Sequence, residues 1–230
     1  MKNKALLFSI LLIFIPLCKF SQSFNGPESV EYNPNTGSYF ISNSNNGQIL
    51  ELDNNNELSV FITNVGTGPH GLEIVNNILY ACSGGRLKGY DLNNGNQVLN
   101  YNFGASFLNG ITHMENTLFI TDFSDRKLYT YNIEEENHDE IASFTKNPNG
   151  TYWDSMSNRL LVIFWGNNAP IFEIDYMNGE YNTIIMTGLG NLDGIAMDQC
   201  GNFYISAWSS NAIHKYNSSF SETEIVVENL

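Results

Sequence analysis

From Glu28 onward, apolar and polar residues alternate in short runs broken by Asn, Asp and Gly. Side chains on an extended strand point to opposite faces in turn, so a period of two predicts β-strands. One set of runs is apolar and aromatic: Tyr39–Ser42, Ile78–Ala81, Leu118–Thr121, Leu160–Phe164 and Phe203–Ser206. After a polar turn, each is followed by an alternating run: Gln48–Leu52, Arg86–Tyr90, Lys127–Tyr131, Ile171–Asp175 and Ile213–Tyr216. A short strand precedes the apolar run, as at Leu72–Val75, Ile111–His113 and Ile195–Met197. A fourth closes the unit: Ser59–Thr63, Val98–Phe103, Glu140–Phe144, Asn182–Met186 and Glu224–Val227. The 34 asparagines mark the turns, because Asn tolerates positive φ and its side chain mimics a backbone turn. Beyond residue 22 no stretch carries helical periodicity.

The pattern repeats. Aligned units begin at Glu28, His70, Asn109, Asn149 and Asp193, with spacings of 42, 39, 40 and 44 residues. A period near 40 with four strands per unit predicts an all-β fold, a β-propeller of four-stranded blades. A β-sandwich or simple barrel does not explain why five units keep one internal order. The 230 residues suit a single propeller domain over 23–230. Five blades are visible. They form either a five-bladed ring or a six-bladed fold lacking its last blade.

The first 22 residues differ in kind. Lys2 and Lys4 precede an apolar run, Ala5–Leu17, of 13 residues. That is short for a membrane span and fits a signal peptide over 1–22, hence a secreted or periplasmic protein. Cys18 raises lipid anchoring as an alternative, but bulky Leu17 stands where a small residue is usual. The formal charge is −14; loss of three lysines with residues 1–22 makes it −17. Such a surface repels phosphate backbones and anionic lipid, which argues against nucleic-acid and membrane-surface binding, and no other segment is long and apolar enough to insert in a membrane after signal cleavage. Cys82 and Cys200 occupy non-equivalent blade positions and are not expected to pair.

Residues at one repeat index form a ring around a propeller's axis. At the first-strand start that ring is Glu28, His70, Asn109, Asn149 and Asp193, the last four each followed by Gly. Two carboxylates and two amide oxygens suit a hard divalent cation, and His70 adds a nitrogen or a general base. Equally, such a ring can cap neighbouring backbone. A second tier holds Phe123, Trp165 and Trp208, able to wall a pocket or to pack between blades. His113, His138 and His214 have no partners at ligand spacing, and Arg159 reads as a surface residue. The chain has no Gly-rich phosphate loop, no CxxC, no HExxH and no nucleophile elbow.

Pro-Glu-Ser-Val-Glu-Tyr at 27–32, Leu-Asn-Gly at 108–110, Pro-Asn-Gly at 148–150 and Leu-Asp-Gly-Ile-Ala-Met-Asp at 192–198 together resemble the regucalcin/gluconolactonase family of six-bladed propellers. NHL-repeat propellers are a looser likeness. The resemblance implies metal ligands at Glu28, Asn149 and Asp193, with calcium the first choice and magnesium, manganese or zinc possible. It implies substrate contact at Asn109 and a general base at Asp193. Sugar-lactone members carry an Arg where this chain has Phe107. Gly-Pro-His-Gly-Leu at 68–72 resembles a segment of streptogramin lyases, another metal-using propeller family.

Two functions are therefore expected. One is a metal-dependent hydrolase of lactones or esters, with Asp193 or His70 as the base and Asn109, Phe123, Trp165 and Trp208 around a small-molecule substrate. The other is a non-catalytic propeller that binds a protein ligand on its face. A lyase is the third.

Overall fold

The computed structural model describes residues 23–230, so the signal-peptide and Cys18 expectations fall outside it. Blade one consists of β1 (Pro27–Asn33), β2 (Ser38–Asn43), β3 (Gln48–Leu52) and β4 (Leu58–Ile62). Blade two runs β5 (Leu72–Val75), β6 (Ile78–Ser83), β7 (Arg86–Asp91) and β8 (Gln97–Asn102). Blade three has β9 (Leu108–Met114), β10 (Thr117–Asp122), β11 (Lys127–Asn132) and β12 (Asn137–Ser143). Blade four has β13 (Pro148–Asp154), β14 (Arg159–Phe164), β15 (Pro170–Ile174) and β16 (Tyr181–Met186). Blade five has β17 (Leu192–Met197), β18 (Phe203–Ala207), β19 (Ala212–Tyr216) and β20 (Thr223–Glu228). Each blade is an antiparallel meander in sequence order, and the described residues include no helix.

The asparagine-rich turns have a physical form. Asn76 and Asn77 both have positive φ (50° and 65°), which a two-residue hairpin loop matching the strand twist requires. At Asn33, Asp91 and Asp175 the side chain accepts the N–H two residues on, at 3.0, 2.7 and 2.9 Å. Four residues later a glycine at φ 70–74° closes the turn.

Apolar runs are continuous in the second strands because both sides of a blade are covered. Phe40 and Ile49 pack on Leu72, Leu79 and Ala81 between blades one and two. Tyr80 and Cys82 pack on Leu118 and Ile120 between two and three. Phe119 and Leu128 meet Leu160, Val162 and Phe164 between three and four. Leu161 and Ile163 meet Phe203, Ile205 and Ala207 between four and five. Even and odd positions of one strand thus belong to different cores. Inner strands pack in the same order, β1 on β5, β5 on β9, β9 on β13 and β13 on β17. Among the described residues no such core joins blade five to blade one.

Arg159 departs from its surface reading. It pairs with buried Asp154 at 2.9 Å and lies over the rings of Phe203 and Phe220. Cys82 is buried and Cys200 exposed, and among the described residues neither forms a disulfide.

Candidate functional site

The inner strands of blades one, three, four and five share one irregularity. Their pairing to the second strand slips between Pro27 and Val30, Leu108 and Ile111, Pro148 and Thr151, and Leu192 and Ile195. Glu28, Asn109, Asn149 and Asp193 lie inside these slips. A bulge re-aims side chains, and here it turns one polar residue per blade toward the axis.

None of the following glycines, Gly71, Gly110, Gly150 and Gly194, has positive φ, so they are not there to make a left-handed turn. A Cβ at Gly71 would collide with the Asn109 carbonyl, and one at Gly110 with the Asn149 carbonyl. At Gly150 it would stand 2.7 Å from the Asp193 carbonyl oxygen. Glycine permits the close approach of successive inner strands.

The ring residues join into one hydrogen-bonded line. Asn109 donates its amide to Asn149 Oδ1 at 2.6 Å. Asn149 donates to Asp193 Oδ1 at 2.8 Å and to the Leu192 carbonyl at 3.1 Å. Trp208 Nε1 donates to Asp193 Oδ2 at 2.7 Å. Glu28 stands near this carboxylate; burial and the charge of Asp193 raise its pKa, against a 3.5 Å hydrogen bond from Ser44. His70 is not hydrogen-bonded to Asp193. Its Nδ1 is buried without a partner, and desolvation lowers its pKa although the charge of Asp193 opposes this.

Asn149 turns its nitrogen, not its oxygen, toward Asp193. Reversing that amide would aim oxygen at the Leu192 carbonyl and nitrogen at the Asn109 nitrogen. Among the described residues no three His, Cys, Asp or Glu side chains are placed to hold an ion.

Above the ring runs an arc of half-exposed rings. His70 meets Phe107 edge-on at 4.6 Å, Phe107 meets Phe123 at 5.7 Å, Phe123 meets Trp165 at 6.1 Å, and Trp165 meets Trp208 at 5.8 Å. Trp208 is 61% exposed. Phe107, singled out in the sequence only for not being Arg, is a member of this arc. The loop beneath it is held by buried Asp122, which accepts the N–H groups of Ser106, Phe107, Ser124 and Asp125.

The ring residues Glu28, Asn109, Asn149 and Asp193 line one cavity of about 470 Å³ together with Glu31, Glu73, His113 and Trp153. His113 does have a partner, against the sequence reading: its Nδ1 lies 2.5 Å from Glu73 Oε1. Glu31 accepts the Ile74 N–H at 3.2 Å. Burial and the neighbouring Glu73 carboxylate push Glu31 up to about 8. Burial also raises Glu73, and the bond to Glu73 raises His113. Glu31 and Glu73 share one repeat index, three residues past Glu28 and His70, and that register was the available signal.

No protein-family model and no curated protein sequence matches the chain. Solved structures do. A nidogen/laminin complex matches with a TM-score of 0.75 and 14% identity, over 86% of this chain and 78% of that one. A selenomethionine-substituted virginiamycin B lyase from Staphylococcus aureus matches with a TM-score of 0.68 and 15% identity, over 87% and 69%. At such identities the likeness is one of architecture, and it agrees with the strand order and register above: this chain has the β-propeller fold.

Proposed function

We propose that this chain is a non-catalytic binding propeller that takes a protein ligand on the aromatic arc from His70 to Trp208. The observation that carries this reading is the closed hydrogen-bond line Asn109–Asn149–Asp193–Trp208. It engages both Asp193 oxygens and the Asn149 oxygen in hydrogen bonds within the ring and to Trp208. The arc itself is surface rather than cavity lining. Half-buried aromatic anchors of this kind supply most of the affinity in protein interfaces. That a nidogen/laminin complex has a similar fold supports the reading by analogy only.

A second reading, a metal-dependent lactonase or ester hydrolase resembling gluconolactonase, draws on Glu28 and Asp193. These like charges stand together, and no cationic side chain among the described residues pairs with either. Calcium, magnesium, manganese or zinc would relieve them. The lyase alternative draws only on the segment around His70.

One experiment separates these. The chain is melted in EDTA and with each cation added back. A bound ion at a hundred times its Kd stabilises by about 2.7 kcal/mol. We expect no shift and no cleavage of a lactone and ester panel. A shift that Asp193→Ala removes overturns the binding reading in favour of the hydrolase. We also take the domain to be secreted or periplasmic, on the sequence of residues 1–22 alone.

A further inference from the structure

We infer that the aromatic arc takes an arginine side chain of its protein ligand, with the guanidinium lying on the Trp208 and Trp165 rings and bonded to the Asp193 and Glu28 carboxylates. The inference rests on the reading of the arc as a protein-binding face and says what that face recognises. It starts from the charge at the foot of the arc. Asp193 accepts from Asn149 and from Trp208, and both donors are neutral. Glu28 receives a hydrogen bond from the Ser44 hydroxyl at 3.5 Å. No ion pair among the described residues includes either carboxylate. The cavity that both line also holds Glu31 and Glu73, and no Lys or Arg side chain among the described residues lines it. His113, its basic group, is engaged by Glu73.

The rings supply the other half of the site. Trp208 is exposed, and its bond to Asp193 Oδ2 fixes an indole beside a carboxylate. Trp165 stands 5.8 Å from it and Phe123 a further 6.1 Å along. The face of an aromatic ring attracts a cation through its quadrupole, and that of Trp does so most strongly. This chain's own cations are spent elsewhere. Among the described residues, the cation that lies over rings is Arg159, on Phe203 and Phe220, and none lies over Trp208, Trp165 or Phe123.

Arginine is the side chain that meets both demands. Its guanidinium is planar, stacks on aromatic faces, presents a fork of donors to carboxylates and is more weakly hydrated than an ammonium. Each Asp193 oxygen keeps a lone pair beyond the one bond it accepts. An apolar anchor seated here would strip water from carboxylates that it cannot pair, an unfavourable exchange. An acidic segment is repelled by a chain of formal charge −14, whereas a basic one is drawn in. Aromatic surface and uncompensated charge thus select the same partner, a protein segment that presents an arginine.

The probes are two peptides, acetyl-Gly-Gly-Arg-Gly-Gly-amide and the same peptide with citrulline, which keeps the shape of arginine without its charge. Each is titrated in EDTA into the isotopically labelled chain. The readout is the indole N–H signals of Trp208 and Trp165, assigned from Trp208→Phe and Trp165→Phe. The arginine peptide should move the Trp208 signal saturably and bind about tenfold more tightly than the citrulline peptide. Glu28→Gln removes one charge and disturbs only a long hydrogen bond, so the fold is kept. It should narrow the gap between the peptides severalfold and leave the citrulline titration unchanged. Equal affinity of the two peptides overturns the inference and leaves the arc standing as a binding face. An arginine preference undiminished by Glu28→Gln also overturns it. So does a Trp208 signal that neither peptide moves. The binding reading itself falls by a different result, the cation-dependent melt described above.

Discussion

Glu31 shows how a residue of ordinary type acquires an unusual task. It sits on an inner strand, faces blade two, and shares its surroundings with Glu73, His113 and Tyr152. With its pKa raised from 4.5 to about 8, it holds a proton in the folded chain at pH 7 that it gives up on unfolding. Between those two values the native state binds more protons than the unfolded state, so stability falls as pH rises. The contribution is complete below pH 4.5 and lost by about pH 8. In urea titrations across this window, Glu31→Gln should flatten the decline and leave the variant more stable than wild type at pH 8. An unchanged slope would mean that Glu31 ionises normally. The two channel glutamates were legible only through their shared repeat index, because taken singly a Glu in an alternating strand looks like any solvated position.

The strand bulge is the element that makes the ring. The four slips at Pro27/Val30, Leu108/Ile111, Pro148/Thr151 and Leu192/Ile195 bring polar side chains inward where regular pairing would alternate them. Close strand approach follows, and glycine allows it. Gly110→Ala forces a Cβ against backbone that cannot swing aside. It should cost about 1–3 kcal/mol in chemical denaturation, the range for overpacked sites. Gly104, with nothing within 4 Å of a built Cβ but φ at 66°, serves as the contrast, where any loss is backbone strain alone. A Gly110→Ala variant as stable as wild type would show that the inner strands can separate. The sequence displayed the polar-Gly pairs, and their role in inter-strand contact needed coordinates.

At the scale of the molecule, charge matters more than any one contact. A chain at −14 repels itself when compact, and salt screens that repulsion. The melting temperature should therefore rise as NaCl goes from about 10 mM to about 150 mM, where the Debye length shortens from about 30 to 8 Å. Retention on heparin should be absent throughout. A falling melting temperature would instead point to ion pairs such as Lys127–Glu140 and Lys215–Glu224 as net contributors, which their exposure argues against.

The sequence by itself determined the repeat. Period-two runs between Asn, Asp and Gly turns allow only strands, and one order of runs recurring near every 40 residues allows only stacked, equivalent blades. It also determined the ring index, since equivalent positions must share an environment. Tertiary structure decided the rest, because it depends on neighbours the chain brings together from about 40 residues away. It tied Asn109, Asn149, Asp193 and Trp208 into one hydrogen-bonded line. It drew Phe107 into the arc and gave His113 a partner in Glu73. It also set the backbone of the next blade directly against Gly71, Gly110 and Gly150.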